Sequence, residues 1–151
     1  NNQGRNIEVE TMPLDDTSEL LFYIWEINGM RYGGIRRFVY SDAAEGPVPT
    51  RSGVTLSKES LHQLLKALKA NEIFNDALQT EGEIARLKKN QTTDVVISLV
   101  ESSVDDNPYC LDIREHVTRG SYIGPTRRGF RVSLEQIPRL IDGLERLYEA
   151  M

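Results

Sequence analysis

The chain has 151 residues, of which 39% are hydrophobic and 27% charged, and its formal net charge is −5 at pH 7. These values are typical of a soluble globular protein with a real core, and no apolar run approaches the roughly 20 residues of a membrane-spanning helix. The single cysteine, Cys110, excludes a disulfide framework. It favours a reducing, intracellular compartment, which is the cytoplasm or nucleoid of a prokaryote or the nucleus of a eukaryote.

Residues 1–75 predict a first unit of four short strands and a helix. Asn28-Gly29 is the strongest short signal for a hairpin, and Gly33-Gly34 indicates a bulge or a close approach within a strand. Residues 41–49 predict a loop, and Ser57 is the expected N-cap of the helix. The predicted strands cover residues 6–10, 19–27, 30–40 and 53–56, and the predicted helix covers residues 58–71.

Residues 92–151 predict a second unit of the same kind, joined to the first by a linker over residues 76–91. Thr80-Glu81-Gly82-Glu83 matches a capping box, which predicts a short connecting helix over residues 81–89. Residues 120–125 predict a loop before the last strand. The predicted strands cover residues 92–102, 109–118 and 130–132, and the predicted helix covers residues 133–149.

An internal repeat explains this order of elements. Residues 49–57, with the sequence PTRSGVTLS, reappear 76 residues later as residues 125–133, PTRRGFRVS, and Ile35-Arg36 corresponds to Ile113-Arg114. Each half would be marginal alone, so we expect one shared core. The prediction is an α+β fold of two ββββα repeats, with antiparallel sheets and with the helices packed together as an intramolecular pseudo-dimer. Matching apolar stripes support that packing: Leu61, Leu64, Leu65 and Leu68 in one helix, and Ile137, Leu140, Ile141 and Leu144 in the other.

Positive charge is concentrated in two segments although the chain is acidic overall. Residues 31–51 and 112–131 hold 9 of the 18 basic residues, all of them arginine, and only four of the 23 acidic residues. Arginine suits phosphate and base stacking, and a local excess of one sign is a better guide to an anionic ligand than the net charge. The alternative is that these arginines are merely solvated. The candidate nucleic-acid-binding arginines are Arg36, Arg37, Arg51, Arg114, Arg119, Arg127, Arg128 and Arg131.

Aromatic side chains accompany these arginines in the predicted strands. Strand parity places Tyr32 and Arg36 on one face, opposite the core residue Ile35, and places Tyr23 and Trp25 together on the neighbouring strand. Such a face can hold phosphates while unpaired bases stack on the rings, so Trp25 and Tyr32 join the candidate site. Ordinary core packing is the alternative for Trp25 and Tyr23.

No enzyme is predicted. His62 and His116 lack partners at metal-ligand spacing, and Cys110 is typical of a small strand hydrophobe. No glycine-rich phosphate loop is present in the right context. We therefore expect no catalytic residue, no metal site and no cofactor.

The second copy resembles the positive-cofactor-four family of transcriptional coactivators. The similarity lies in Leu111-Asp112-Ile113-Arg114-Glu115 and in residues 125–136, a basic loop and glycine-containing strand that lead into a helix opening with Glu135-Gln136. The first copy is similar through Ile35-Arg36-Arg37 and residues 49–57. Together the two copies cover most of residues 20–148. A rival resemblance is to the Pur-alpha repeats, which also pair within one chain and bind single strands.

The resemblance implies sheet channels that bind single-stranded DNA in a Whirly-like or coactivator-like pseudo-dimer. It places the family's strand arginine on Arg36 and Arg114, and its basic pair on Arg127-Arg128 but on Arg51-Ser52 in the first copy. This sequence departs from the family at Val39 and Val117, where an aromatic residue is expected. It departs again at the acidic segment Asp105-Asp106-Asn107, where the family's central hairpin is basic.

The sequence thus predicts a single-stranded nucleic-acid-binding protein, with DNA as the main expectation and RNA as an alternative, that acts in transcription regulation or DNA maintenance. Transcription proteins are expected partners and a membrane is not. The pseudo-dimer is expected to be monomeric, with further self-association left open. Two rival functions stay open as well: an interaction module that kept the fold without the nucleic-acid groove, and a Pur-alpha-like regulator.

Overall fold

The computed structural model describes residues 3–43, 45–70, 81–102 and 108–151. Within these ranges the chain is α+β, with two four-stranded antiparallel sheets that are each followed by a helix. The first sheet contains β1 (Arg5–Asp15), β2 (Ser18–Ile27), β3 (Met30–Tyr40) and β4 (Pro47–Leu56), and helix α1 (Lys58–Ala70) follows it. The second contains β5 (Gly82–Asn90), β6 (Thr93–Glu101), β7 (Tyr109–Arg119) and β8 (Tyr122–Ser133), and a 3₁₀ turn (Leu134–Gln136) leads into helix α2 (Ile137–Ala150). In both sheets the strands are adjacent in chain order.

Local sequence signals account for the best-predicted elements. Asn28 and Gly29 have φ values of 52° and 74° and form the two-residue turn between β2 and β3, where Ile27 pairs with Met30. The Ser57 hydroxyl accepts a hydrogen bond from the backbone N–H of Ser60 at 3.1 Å, so the predicted N-cap of α1 is confirmed. The α1 helix ends at Ala70, and Asn71 lies outside the described residues.

The predicted helix over residues 81–89 is wrong. Residues 82–90 form β5, which pairs with β6 from Gly82–Leu99 to Asn90–Thr93. Ile84, Ala85 and Leu87 of this strand pack against the hydrophobic core. Pairing with a neighbouring strand therefore overrides the local capping pattern, and the second unit begins with β5 instead of residue 92.

Three strands are longer than the sequence predicts, and the first is β1, which covers Arg5–Asp15 instead of residues 6–10. The loops expected at residues 41–49 and 120–125 are partly strand, since β4 begins at Pro47 and β8 at Tyr122. Their prolines suggested loops, but β4 and β8 lie at the edge of their sheets, where a residue without an N–H is tolerated.

The repeat extends to single hydrogen bonds in the β1–β2 and β5–β6 hairpins. Asp15 Oδ1 accepts the Thr17 N–H at 2.8 Å in the first, and Asn90 Oδ1 accepts the Thr92 N–H at 3.0 Å in the second. The carbonyls of Thr17 and Thr92 then accept N–H groups from β3 and β7, each at 2.9 Å. Strands β1 and β2 of the first half therefore correspond to β5 and β6 of the second half, although their sequences do not show the repeat.

The two halves share one hydrophobic core because each helix packs on the opposite sheet. Helix α2 contacts β1 and β2, and α1 contacts β5 as well as β3 and β4 of its own half. Gly143 of α2 sits so close to Phe22 that a Cβ there would lie 2.5 Å from the ring. Gln136 also donates from Nε2 to the carbonyl of Leu14 at 2.8 Å. One cluster of buried residues thus includes both sheets and both helices.

The helices also contact each other, and β4 runs beside β8. Lys69 of α1 pairs with Glu145 of α2 at 3.1 Å, and Lys58 lies 5.0 Å from the ring centre of Tyr148. Over the described ranges, neither α1, with 13 residues, nor α2, with 14, is long and apolar enough to cross a membrane.

Candidate nucleic-acid interface

The repeated sequence places one arginine in the same position in each half. Arg36 Nη1 donates to the carbonyl of Thr50 at 3.1 Å, and Arg114 Nη1 donates to the carbonyl of Thr126 at 2.9 Å. In both halves the strand pairing shifts by one residue just after this arginine, between Arg36 and Phe38 and between Arg114 and His116. Such bulges re-aim side chains, and here they orient the two arginines alike.

The threonine of the repeated Pro-Thr-Arg sequence closes each bulge. Thr50 Oγ1 donates to the Arg37 carbonyl at 2.7 Å, and Thr126 Oγ1 donates to the Glu115 carbonyl at 2.9 Å. Each hydroxyl also accepts the backbone N–H two residues further on at 3.1 Å. The motif that reveals the repeat is therefore a structural device that fixes an arginine on the sheet.

The repeated glycine lets the two strands approach at this bulge. A Cβ on Gly53 would lie 2.6 Å from the Ile35 carbonyl oxygen, and one on Gly129 would lie 2.7 Å from that of Ile113. Both obstacles are backbone atoms, so neither glycine position has room for a side chain.

A cleft of about 620 Å³ lies where the two halves meet, and we call it the arginine cleft. It is lined by Gly53 and Thr55 of β4, by Val117 of β7 and by Thr126 of β8. Among the described residues, the arginines that line it are Arg36, Arg51, Arg119, Arg127 and Arg128.

Little negative charge offsets these arginines. Lys89 and the buried Glu115 also line the cleft, and they form an ion pair with each other at 2.8 Å, so the Glu115 carboxylate is neutralised by Lys89. Within the described part of the chain, no carboxylate lies within ion-pair distance of the five arginines. The cleft is therefore strongly positive on a protein whose net charge is negative.

An aromatic pocket of about 330 Å³ adjoins the arginine cleft and shares Thr55 and Lys89 with it. Trp25 of β2 is paired with Tyr32 of β3 in the strand register, and both residues line this pocket. Trp25 is half-buried, and part of its ring covers Gly4, where a Cβ would lie 2.2 Å from Cζ2. Tyr23 is 6% exposed and packs over Gly34, and its hydroxyl accepts a hydrogen bond from Arg36 Nε, so it is buried on the face that carries Arg36.

The remaining predicted arginines lie elsewhere. Arg37 and Arg131 line a separate cavity of about 460 Å³ together with Asp15 and Cys110. Arg114 donates to Asp112 from Nη2 at 3.0 Å. The acidic segment Asp105-Asp106-Asn107 lies outside the described residues.

Three residues that shape the site were not among the predicted ones. Lys89 was missed because it falls in the segment predicted as a helix. Glu115 was missed because its partner, Lys89, lies on another strand. Asp112 was missed because its partners are Arg131 on another strand and Arg114 two residues further along its own strand. The repeat itself carried a signal for Asp112, since the residue two before the strand arginine is Gly34 in the first copy and Asp112 in the second.

Comparison with protein-family models and with curated proteins finds no match to this sequence.

Proposed function

We propose that this protein binds single-stranded nucleic acid in the arginine cleft, with DNA as the principal ligand. The observation that carries the proposal is the group of five arginines in the cleft, which have no carboxylate partner among the described residues. Unneutralised arginines at one place are costly in stability, because like charges repel each other. A polyanion would relieve that repulsion and release its own counterions.

The adjoining aromatic pocket supports a single strand as the ligand. Bases of a single strand are free to leave the backbone line and stack on aromatic rings, whereas bases of a duplex are already stacked. Trp25 and Tyr32 lie next to the cleft and share two lining residues with it. Phosphates bound in the cleft would therefore place a neighbouring base beside these rings.

The resemblance to the positive-cofactor-four coactivators agrees with this proposal and suggests a role in transcription regulation or DNA maintenance. It also agrees with a pseudo-dimer in one chain, because the cleft combines Arg36 and Arg51 of the first half with Arg127 and Arg128 of the second. We infer that the protein acts as a monomer, since both halves of the cleft are already present.

The test is a fluorescence-anisotropy titration with single-stranded and duplex oligonucleotides of equal length at several salt concentrations. We expect tighter binding of the single strand and an affinity that falls with salt through counterion release. Equal binding to both forms, or no binding at low salt, would overturn the proposal and favour an interaction module that binds protein instead.

The double variant Arg127→Ala/Arg128→Ala sharpens this test. We expect it to weaken binding about tenfold or more and to reduce the salt slope by about 1 to 2, since each arginine contacts about one phosphate. Lys66→Ala is the control, because Lys66 is exposed on α1 and does not line the cleft. A loss of binding free energy in Lys66→Ala that is about half the loss in the double variant, which removes two charges instead of one, would show that binding follows net charge alone.

A further inference from the structure

We propose that Asp112 occupies the place of a phosphate in the second half, so that one chain binds a single strand only in the arginine cleft. This inference rests on the proposed function and adds its stoichiometry and the residue that sets it. We use the term second groove for the surface around Arg114 and Arg131, where Arg114 has the position that Arg36 has in the first half.

Strand pairing identifies the residues that correspond. Gly34 lies between Tyr23 of β2 and Thr55 of β4, whereas Asp112 lies between Ser98 of β6 and Arg131 of β8. The arginine two residues further on has the same contact with a threonine carbonyl in both halves. The two grooves therefore have the same backbone and differ in the side chains around one arginine.

In the first half that arginine has only neutral partners among the described residues. Arg36 Nε donates to the Tyr23 hydroxyl at 3.4 Å and Nη1 to the Thr50 carbonyl. Its charge is therefore available to a ligand in the cleft, which Arg36 also lines.

In the second half a single carboxylate, that of Asp112, forms ion pairs with both Arg114 and Arg131. Asp112 Oδ1 lies 3.0 Å from Arg114 Nη2 and 3.1 Å from Arg131 Nε, and Asp112 is 5% exposed. Two guanidinium groups that converge on one anion are the arrangement that would hold a phosphate. Because Asp112 is covalently part of the chain, its carboxylate is present at high effective concentration beside the two arginines. A phosphate must compete with it, and phosphate binding there is suppressed.

The counterpart of the aromatic pocket has changed as well. Cys110 stands where the first half has Tyr32, and the cavity around it also contains Asp15 and Glu101. That cavity offers neither an aromatic ring pair nor an excess of free positive charge within the described residues. Both the phosphate site and the base site are thus altered in the same half.

The decisive experiment is the variant Asp112→Asn, which keeps the size of the side chain and removes its charge. The probe is a short oligodeoxythymidylate, and its stoichiometry is measured by isothermal titration calorimetry. We expect one strand per chain for the unmodified protein and a second, weaker binding event for the variant. Asp142→Asn is the matched control, because Asp142 also binds two arginines, Arg139 and Arg146, but lies on α2. A second event that occurs equally in the control, or in neither variant, would overturn the inference.

A pair of arginine variants gives an independent measurement if Asp112→Asn fails to fold. We expect Arg36→Ala to weaken binding roughly tenfold or more and Arg114→Ala to change it less than about twofold. Equal losses, or two strands bound by the unmodified protein, would show that the second groove is open. Absence of binding by the unmodified protein would instead overturn the proposed function.

Discussion

The two halves of this molecule are alike in backbone and different in charge. Arg36 and Arg114 are fixed by the same bulge, the same threonine and the same glycine, yet within the described ranges only Arg114 has a carboxylate beside it. The contacts that position the side chain are made by backbone carbonyls and a repeated threonine. The contacts that decide its availability are made by unrepeated side chains. Position and availability of a charge are therefore encoded by separate residues and can change separately.

The largest expected effect concerns the packing of α2 on the first sheet. Gly143→Val should destabilise the protein by about 2–3 kcal/mol, because its Cβ would enter the ring of the fully buried Phe22. Ala67 is the matching position on α1, and it is half-buried with its Cβ already accommodated. Ala67→Val should cost less than about 1 kcal/mol. Urea denaturation measures both, and equal losses would show that the two helices pack equally closely.

A smaller, symmetric effect tests the equivalence of the two bulges. Gly53→Ala and Gly129→Ala should each cost about 1–3 kcal/mol, because each Cβ would collide with a backbone carbonyl oxygen. The two losses should agree within about 0.5 kcal/mol, as expected for sites with the same geometry. Thermal and urea unfolding of both variants checks this. A loss confined to one variant would refute the claim that the halves share one backbone.

The smallest effect is the pH dependence that His116 of the second half contributes. Burial, and then the nearby Arg86 guanidinium, holds the pKa of His116 below its usual value of 6.5. The unfolded chain therefore takes up a proton at higher pH than the folded protein does. The contribution of His116 to stability is therefore complete above pH 6.5 and is lost as the pH falls from there through its lower folded-state pKa. The corresponding residue of the first half is Phe38.

His116→Phe should therefore remove part of this pH dependence. The measurement is the free energy of unfolding at pH 5 and pH 8 for both proteins. An unchanged difference between the two pH values would assign the effect to other groups.

The sequence predicted the parts of the fold that depend on local chemistry. The Asn28-Gly29 turn and the Ser57 cap are chosen by backbone geometry that few other residues satisfy, so they are visible without tertiary information. Strand β5 was missed because its exposed side is charged and its buried side is held by pairing with β6. The N-terminal part of β8 was missed because Pro125 is allowed only at a sheet edge, and the sequence does not show which strand is an edge.

In the candidate site, too, the sequence predicted the features that depend on local pattern and missed those that depend on tertiary contacts. The repeat placed Arg36 and Arg114 in corresponding positions, and the structure fixes both through the same hydrogen bonds. It brings five of the eight predicted arginines into one cleft, which strand parity alone could not do because the cleft combines two sheets. Pairing of Arg114 and Arg131 with Asp112 depends on side-chain directions across β7 and β8, and that information is absent from a linear pattern.

Packing of α2 on the opposite sheet imposes an order on biosynthesis. Phe22 and its neighbours on β1 and β2 emerge from the ribosome early, but the helix that covers them is made from residues 137–150. At typical translation rates the apolar face of the first sheet then waits on the order of ten seconds for its cover. During that time the nascent chain presents a binding surface to chaperones and to other nascent copies of itself. A second copy that supplied α2 first would produce an exchanged dimer in place of the monomer.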